Sequence, residues 1–525
     1  VARHFNTAGP CLPELHYTVA PLSRLPEAPR LVEESNYFVL HAPRQTGKTT
    51  VLRALAAELT ASGLYAALHF SCEVAGSAGD DYLAAQQAIL QTISQYARIS
   101  LPEELRPPAW PDTAGLTLLG EALTAWAGVC PRPLVLFFDE IDALRDQSLI
   151  NVLRQLRSGF NLRPAHFPAS IALCGLRDVR DYKAASGGDP GRLGTASPFN
   201  IKVESLRLGD FTEAEVRELY GQHTAETGQK FTEEALERAF ELTAGQPWLV
   251  NALAREVVRN MAVPPEVPIT ATHLDRAKER LILARATHLD SLADKLVEPR
   301  VRRVLEPALA GTLATFDPYD DDLSYVRDLG LIKPDGPVEV ANPIYREVIP
   351  RVLAAGVQAN VTVSPRTFVL PDGRLDFRKA LESFAGFWRE NGDMLAAAQL
   401  YREAGPQLIL MAFLQRVVNG GGYVDREYGV GRGRADLLVR WPYTGADDRP
   451  ALQREAVEIK VHRPDKGDPT RDGIAQLDSY LDSLGLDTGT LVIFDRRPTA
   501  APIAQRTQFA IATTPTGRPI TLLRA

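Results

Sequence analysis

Cysteine is scarce in this chain. Four stand in 525 residues, Cys11, Cys72, Cys130 and Cys174, scattered and without paired spacing. That excludes a disulfide framework and a cysteine-held metal cluster. Cys72 and Cys174 lie in apolar runs, where thiols are buried, and a reducing compartment fits. Long hydrophobic runs are missing too. None approaches the ~18 residues of a membrane span, and the start lacks the apolar core of a signal peptide, so the expectation is a cytoplasmic chain with no membrane partner. Basic charge is in short supply: 58 Lys and Arg stand against 65 Asp and Glu, a net charge of −7. No overall field draws in nucleic acid, and any such contact must come from a local patch. What is present is ordinary for a folded protein, 45% hydrophobic and 23% charged. The length suggests about three or four domains at ~150 residues each.

One stretch organises the rest. Asn36 to Thr50 reads NYFVLHAPRQTGKTT. Tyr37 to Leu40 read as a short apolar strand, Pro43 to Gly47 as a loop, and Lys48 opens a helix. Strand, flexible loop and helix N-terminus in that order are the setting of a phosphate-binding P-loop. Its inward N–H groups and the helix dipole hold a polyanion. Ala42, Pro43, Arg44, Gln45, Thr46, Gly47, Lys48, Thr49 and Thr50 are therefore the candidate nucleotide-binding residues. Lys48 is expected to reach the β- and γ-phosphates of ATP, and the Thr49 hydroxyl to join the shell of a Mg²⁺ ion. The pattern GxxxxGKT is broken at Ala42, which stands where the first Gly belongs and costs freedom at the turn. Taken by itself the stretch also reads as Gly-Lys-Thr in a surface turn.

A second motif bears on that choice. PLVLFFDEIDAL holds a continuous apolar run, Leu134 to Phe138, of the length of a buried parallel strand. It ends in Asp139 and Glu140, a Walker B pattern. Asp139 is expected to hold the Mg²⁺ through water and Glu140 to polarise the attacking water; acids at the carboxyl end of a central strand stand where open α/β sheets bind ligands. The alternative, a solvated acidic turn, fits poorly with a P-loop upstream. Ahead of the loop, a Pro-rich lead-in makes His16 and Tyr17 candidates beside the base; a plain N-terminal arm is the other reading. After it, Ser170 to Gly175 reads as a further buried strand, with Arg177 a candidate sensor of the γ-phosphate or part of an exposed basic loop. Residues 185–197 read as a Gly-rich mobile loop. Phe211 to Glu256 read as helical and include Gly245-Gln246-Pro247, a turn that starts a new helix.

Residues 1 to about 260 resemble the AAA+ superfamily, within it the signal-transduction and archaeal-type ATPases. The resemblance implies a five-stranded parallel core, a helical lid over ATP and nucleotide-driven movement, often of a homo-oligomer. Rings and a resting monomer both fit. Arg154 and Arg157, on the helix after the acidic pair, are candidates for an arginine finger and are not assigned. From Ile269 to Leu353 the pattern of helix (Leu323 to Leu329), short strand, Pro-Asp-Gly-Pro turn and second strand gives a winged-helix module. Arg327 is the lone base among acids there, which favours a packing role over reading of DNA.

The C-terminal part carries a second chemistry. Glu403 to Val418 read as an apolar helix capped by Asn419 and glycines, followed by a hairpin whose second strand includes Asp436. In REAVEIKVH the strand period puts Val457, Ile459 and Val461 on one face and Glu458 and Lys460 on the other, beside Asp436. Gln476 and Tyr480 follow at helical spacing. This resembles the PD-(D/E)xK nuclease superfamily. The resemblance implies that Asp436, Glu458 and the Ile459 carbonyl bind Mg²⁺ or Mn²⁺, with Glu403 as a further acid, and that Lys460 handles the attacking water and the phosphate charge. It places Gln476 and Tyr480 as the QxxxY element against the site. Gly431 to Arg434 (GRGR) offer a local cationic loop for nucleic acid. The expected organisation is a P-loop αβα ATPase core over 1–205, a helical lid over 206–265, a winged-helix module over 266–354, a linker over 355–374 and an α/β PD-(D/E)xK nuclease-like domain over 375–525. Two functions are carried forward. One is an ATP-regulated, metal-dependent nuclease; the other is a nucleotide-dependent switch or scaffold whose nuclease-like domain only binds nucleic acid or a protein partner.

Overall fold

Apolar runs bounded by turn formers become the central strands of two sheets. The computed structural model describes residues 3–112, 115–176, 201–284, 287–296, 298–309, 317, 320–353, 365–397, 405–418, 422–430, 433–445, 449–464, 467–497 and 499–525. It divides into two compact units, one of residues 1–290 with 315–343 and one of 291–314 with 344–525.

In the first unit β1 (Tyr37–His41), β2 (Ala66–Ser71), β3 (Leu134–Asp139), β4 (Ser170–Gly175) and β5 (Lys202–Arg207) form a five-stranded sheet in the order β2-β3-β4-β1-β5. Every pairing is parallel. Alternate residues of each strand serve opposite faces. Phe38, Leu40, Val135, Phe137 and Ala172 pack with Val51, Leu52, Leu55 and Leu59 of α1 (Lys48–Ala61). Tyr37, Val39, Leu136, Phe138, Ile171 and Leu173 face the other side. That side is covered by α2 (Tyr82–Ser100), α3 (Leu118–Val129) and α4 (Asp146–Gly159), through Ile89, Leu123, Trp126 and Leu153. Both faces being covered, the strands have no need of polar residues, which is why they read as unbroken apolar runs. Cys72 and Cys174 are buried in these layers.

A run of helices follows: α5 (Glu213–Thr227), α6 (Glu233–Thr243) and α7 (Pro247–Arg255) in the span read as a lid, then α8 (Ala271–Leu283). Thr212 and Glu215 form a capping box at the start of α5, and Gln246 caps α7 by accepting from the Leu249 N–H at 2.6 Å. Next in this unit is α9 (Asp321–Asp328), capped by Asp320. The two strands expected after it shrink to a single bridge, Ile332 with Val340. Pro334 and Pro337 withdraw N–H donors on both sides of the turn, so no longer ladder can form. Residues 177–200 lie outside the described residues, and with them Arg177 and the Gly-rich stretch 185–197.

In the second unit β6 (Tyr423–Val430), β7 (Gly433–Thr444), β8 (Pro450–His462), β9 (Gly489–Asp495), β10 (Gln508–Thr513) and β11 (Pro519–Arg524) form a sheet in the order β10-β11-β9-β8-β7-β6. β6, β7 and β8 are antiparallel neighbours, while β8 and β9 are parallel. A parallel pair needs a crossover, and α12 (Thr470–Leu484) supplies it; α10 (Phe377–Ala397) and α11 (Gly405–Val418) precede the sheet. Leu477, Leu481 and Leu484 of α12 pack on Leu438, Ala456, Leu491, Ile493, Ile520 and Leu522. The Glu458 side of β8 lies under α12, and Glu458 is only 1% exposed. The span read as a linker, 355–374, is described from Pro365, and there it belongs to this unit: Phe368 is buried and the Gly373 carbonyl accepts from Trp441 Nε1 at 2.9 Å. Glu403 and Asn419 lie outside the described residues.

Leu173 sits on the central strand with no exposure. Leu173→Ala is expected to cost the first unit ~2–5 kcal/mol through lost burial and an unfilled cavity, measured as a shift in urea denaturation.

Candidate functional site

The loop after β1 turns through two left-handed residues, Gln45 at φ 59° and Gly47 at φ 94°. Ala42 is not one of them. It is fully buried and its N–H donates to the Gly175 carbonyl at 3.4 Å, continuing the β1–β4 pairing by one residue. The position where Gly was expected therefore has no need of glycine, because the bend falls later in the loop. Lys48 Nζ donates to the carbonyls of Ala42 at 2.7 Å and Pro43 at 2.8 Å, spanning the loop where phosphates are expected. Thr46 Oγ1 donates to the Pro43 carbonyl, and Arg24 Nη1 to the Thr46 carbonyl at 2.9 Å. Arg44 and Gln45 are exposed. Thr50 Oγ1 accepts from the Cys11 N–H at 3.1 Å, tying the N-terminal segment to α1.

β3 delivers Asp139 to the same place. Its Oδ2 accepts from Thr49 Oγ1 at 2.7 Å and contacts His69 Nε2 at 2.9 Å, and its Oδ1 accepts from the Glu140 N–H at 3.0 Å. Burial alone raises the Asp139 pKa; hydrogen bonds from His69 and Thr49 outweigh it and hold the carboxyl below its ordinary value. The ionised form is therefore the resting form. Glu140 has a left-handed backbone at φ 56° and accepts a hydrogen bond from Ser71 Oγ. Partial desolvation, joined by the charges of Asp139, Glu73 and Asp142, raises its pKa against that hydrogen bond. Thr49 and Asp139 form a hydroxyl–carboxylate pair at a helix start, a donor set that fits Mg²⁺.

Beside the loop lies an open cleft. Its walls include Tyr17, Thr46, Phe211, Trp248 and Asn251. Of the two candidates beside the base, Tyr17 lines this cleft and His16 does not. His16 Nδ1 accepts from the Leu12 N–H at 2.9 Å and its ring packs edge-on against His4, away from the cleft lining. Arg154 and Arg157 are exposed on α4. Ser71, His69 and Arg24 were missed in the sequence. The one available signal was His69 and Ser71 within the buried strand LHFS, where a polar group needs a partner.

In the second unit, β7 and β8 bring the sequence candidates together. Asp436 Oδ2 accepts from the Ile459 N–H at 2.7 Å. Lys460 Nζ donates to Glu458 Oε1 and to Gln476 Oε1, each at 2.6 Å. Gln476 Nε2 reaches Tyr480 OH at 3.3 Å, one turn along α12. Glu458 Oε2 is buried with no hydrogen-bond partner. Burial first, then the Asp436 charge, lifts the Glu458 carboxyl to about 7 against the pull of Lys460. Among the described residues no group of three or more His, Cys, Asp and Glu is arranged to hold a metal ion; here two acids converge, and Glu403 lies outside the description. The orphaned Oε2 and the two carboxylates fit a divalent cation as far as they go. Gly431 and Arg432 of the cationic loop are also outside it.

A carboxyl whose folded pKa is raised contributes stability that is present at low pH and lost as pH rises from the ordinary value of 4.5 to about 7. Native protein is expected to lose stability of the second unit across that window. Glu458→Gln is expected to abolish the slope; thermal melts over the range read it.

A family model described as an AAA domain matches residues 32–182. Comparison with curated proteins finds no match. Among solved structures, the chain is similar to a Walker-type ATPase of Pyrococcus abyssi at 14% identity, covering 66% of this chain and 99% of that one with a TM-score of 0.47. It is also similar to the Thermotoga maritima RuvB Holliday junction branch migration motor at 13% identity, covering 62% and 92% with a TM-score of 0.32. A third, the Aeropyrum pernix ORC2 protein, shows 14% identity over 64% and 94% with a TM-score of 0.37. No helix among the described residues is long and apolar enough to cross a membrane. With the family match lying over the loop, Lys48, Asp139 and Glu140, residues 32–182 carry an AAA+ P-loop ATPase domain.

Proposed function

We infer that the chain is a nucleotide-dependent switch: its AAA+ domain binds and hydrolyses ATP, and the state of the phosphate loop is read by the segment that follows α9. One contact carries this reading. Gly330, at φ +73°, lies so close to Pro43 of the loop that a Cβ there would stand 2.6 Å from the Pro43 ring. Only glycine satisfies both that backbone and that approach. Asp328, buried, lies 3.8 Å from His41 Nδ1 at the end of β1. A phosphate entering the loop must displace Lys48 Nζ from the Ala42 and Pro43 carbonyls, so Pro43 responds to occupancy and Gly330 responds to Pro43.

In the ATP site, Lys48 and the loop N–H groups would orient the phosphates, Thr49 and Asp139 would hold Mg²⁺ for charge neutralisation there, and Glu140 would polarise the attacking water. In this reading the C-terminal domain is the output and binds nucleic acid or a protein partner, and ATP-bound chains self-associate, with Arg154 and Arg157 exposed for a neighbouring site.

A second reading, cleavage of phosphodiester bonds by a PD-(D/E)xK nuclease-like domain, is supported by a specific observation: Lys460 bonds both Glu458 Oε1 and Gln476, Asp436 holds the Ile459 N–H between them, and Glu458 Oε2 is left without a partner. Asp436, Glu458, the Ile459 carbonyl and Glu403 would hold Mg²⁺ or Mn²⁺, which supplies acidity to a bound water. Lys460, on leaving Glu458, neutralises phosphate charge, and Gln476 fixes where its ammonium points.

The deciding experiment uses the full chain with DNA and RNA, single and double stranded, in Mg²⁺ or Mn²⁺, with and without ATP. ATP turnover without cutting supports the switch. Cutting that is lost in Glu458→Ala, and that responds to ATP only while Lys48 is intact, establishes the nuclease. Gly330→Val is expected to change ATP affinity or turnover at least several-fold, read by nucleotide titration and phosphate release. Unchanged values would remove the contact that carries the switch.

A further inference from the structure

His69 has no part in the reading above, yet it is the one buried base on the strand beside the Walker acids. It stands on β2 between Leu68 and Phe70, is 6% exposed, and meets the Tyr96 ring edge-on at 6.1 Å. An imidazole in such surroundings is costly unless its polar atoms are paired. Its Nε2 lies 2.9 Å from Asp139 Oδ2. A carboxylate can only accept, so Nε2 is the donor.

The same oxygen also accepts from Thr49 Oγ1 at 2.7 Å; a hydroxyl donates with its proton and keeps its lone pairs for a cation, so this bond and a bound metal are compatible. The Cys174 thiol is also hydrogen-bonded to the carboxyl. Two further holds are the Glu140 N–H on Oδ1 at 3.0 Å and His69 on Oδ2. The first comes from the adjacent residue and fixes one oxygen. The second comes from a different strand and fixes the plane of the group.

We propose that His69 is a positioning residue of the ATP site, keeping Asp139 aimed at the metal of the metal–nucleotide complex. The proposal rests on the reading of Asp139 as a metal-facing acid.

Its test is binding rather than turnover. In full-length protein carrying Glu140→Gln to stop hydrolysis, the affinity for a fluorescent ATP analogue is measured with Mg²⁺ and in EDTA. The ratio of the two is the gain that Mg²⁺ brings. His69→Leu is expected to cut that gain by roughly tenfold, as loss of a partner behind a metal ligand does, with affinity in EDTA unchanged. His69→Gln, which keeps a donor at similar reach, is expected to restore it. If His69→Leu gives no cooperative melt, His69→Asn, whose amide is too short to reach Oδ2, carries the same comparison. A full gain in the variant, or an equal fall with and without Mg²⁺, overturns the proposal, the second result marking a packing role. Asp139→Asn separates the two levels. Loss of the gain there with retention in His69→Leu overturns only the role of His69, whereas retention in Asp139→Asn overturns the reading of Asp139 itself.

Discussion

The first unit is arranged around one desolvated carboxylate. Asp139 ends a strand with no solvent on either face, and its side chain is 2% exposed. An ion in such a place is tolerated only when every lone pair has a donor. Thr49 comes from the helix after the loop, His69 from the neighbouring strand and the Glu140 N–H from the chain's next step. Meeting that demand sets the start of α1 against the end of β3 and β2 against both. The P-loop and the acidic pair are far apart in sequence and share one site because this charge has to be satisfied. An anion site flanked by a fixed anion then needs a cation between them, the physical reason why Mg²⁺ belongs to the chemistry of this geometry.

Where burial is two-sided, the sequence reads easily. Tyr37 to Leu40 and Leu134 to Phe138 declare strands because any polar residue there would go unpaired. Lys48, Thr49, Asp139 and Glu140 were legible for the related reason that phosphate and metal chemistry admits few residue types. Ala42 misled in degree: the pattern assigns flexibility to that position, but the left-handed turns fall at Gln45 and Gly47. Partners supplied from elsewhere in the chain were invisible. Arg24, Ser71 and His69 act through contacts whose sequence separations carry no period, and His16 and Tyr17 looked alike until one faced the cleft and the other faced His4. The wing failed as a pair of strands because prolines chosen for a turn also remove donors from the ladder.

The second unit applies the opposite logic to its charges. Alternation along β8 separates Val457, Ile459 and Val461 from Glu458 and Lys460; α12 covers the charged side, so Glu458 is dry while Lys460 reaches its edge. The strand period showed which side chains would be neighbours but not the dielectric they would share. That dielectric depends on the crossover helix required by the parallel β8–β9 pair, a topological fact with no local signature. Helical spacing fixes direction as well, and Gln476 and Tyr480 do lie one turn apart on α12, with Gln476 reaching Lys460.

Burial of this kind bears on what the acid–lysine group can do. Coulomb attraction between Lys460 and Glu458 is strengthened by the dry setting, but the cost of desolvating the acid is larger, which is why its carboxyl ends up raised rather than lowered. A site built only to stabilise the fold gains little from such a pair, since an apolar pair of similar size serves as well. The remaining Glu458 oxygen, buried and unpartnered, is a further cost. Under the proposed nuclease reading, a bound cation would offset both costs, freeing Lys460 for an incoming anion and giving Oε2 a partner. Those costs, left unmet by the protein alone, support the proposal that the C-terminal cluster is a binding site rather than a structural ion pair.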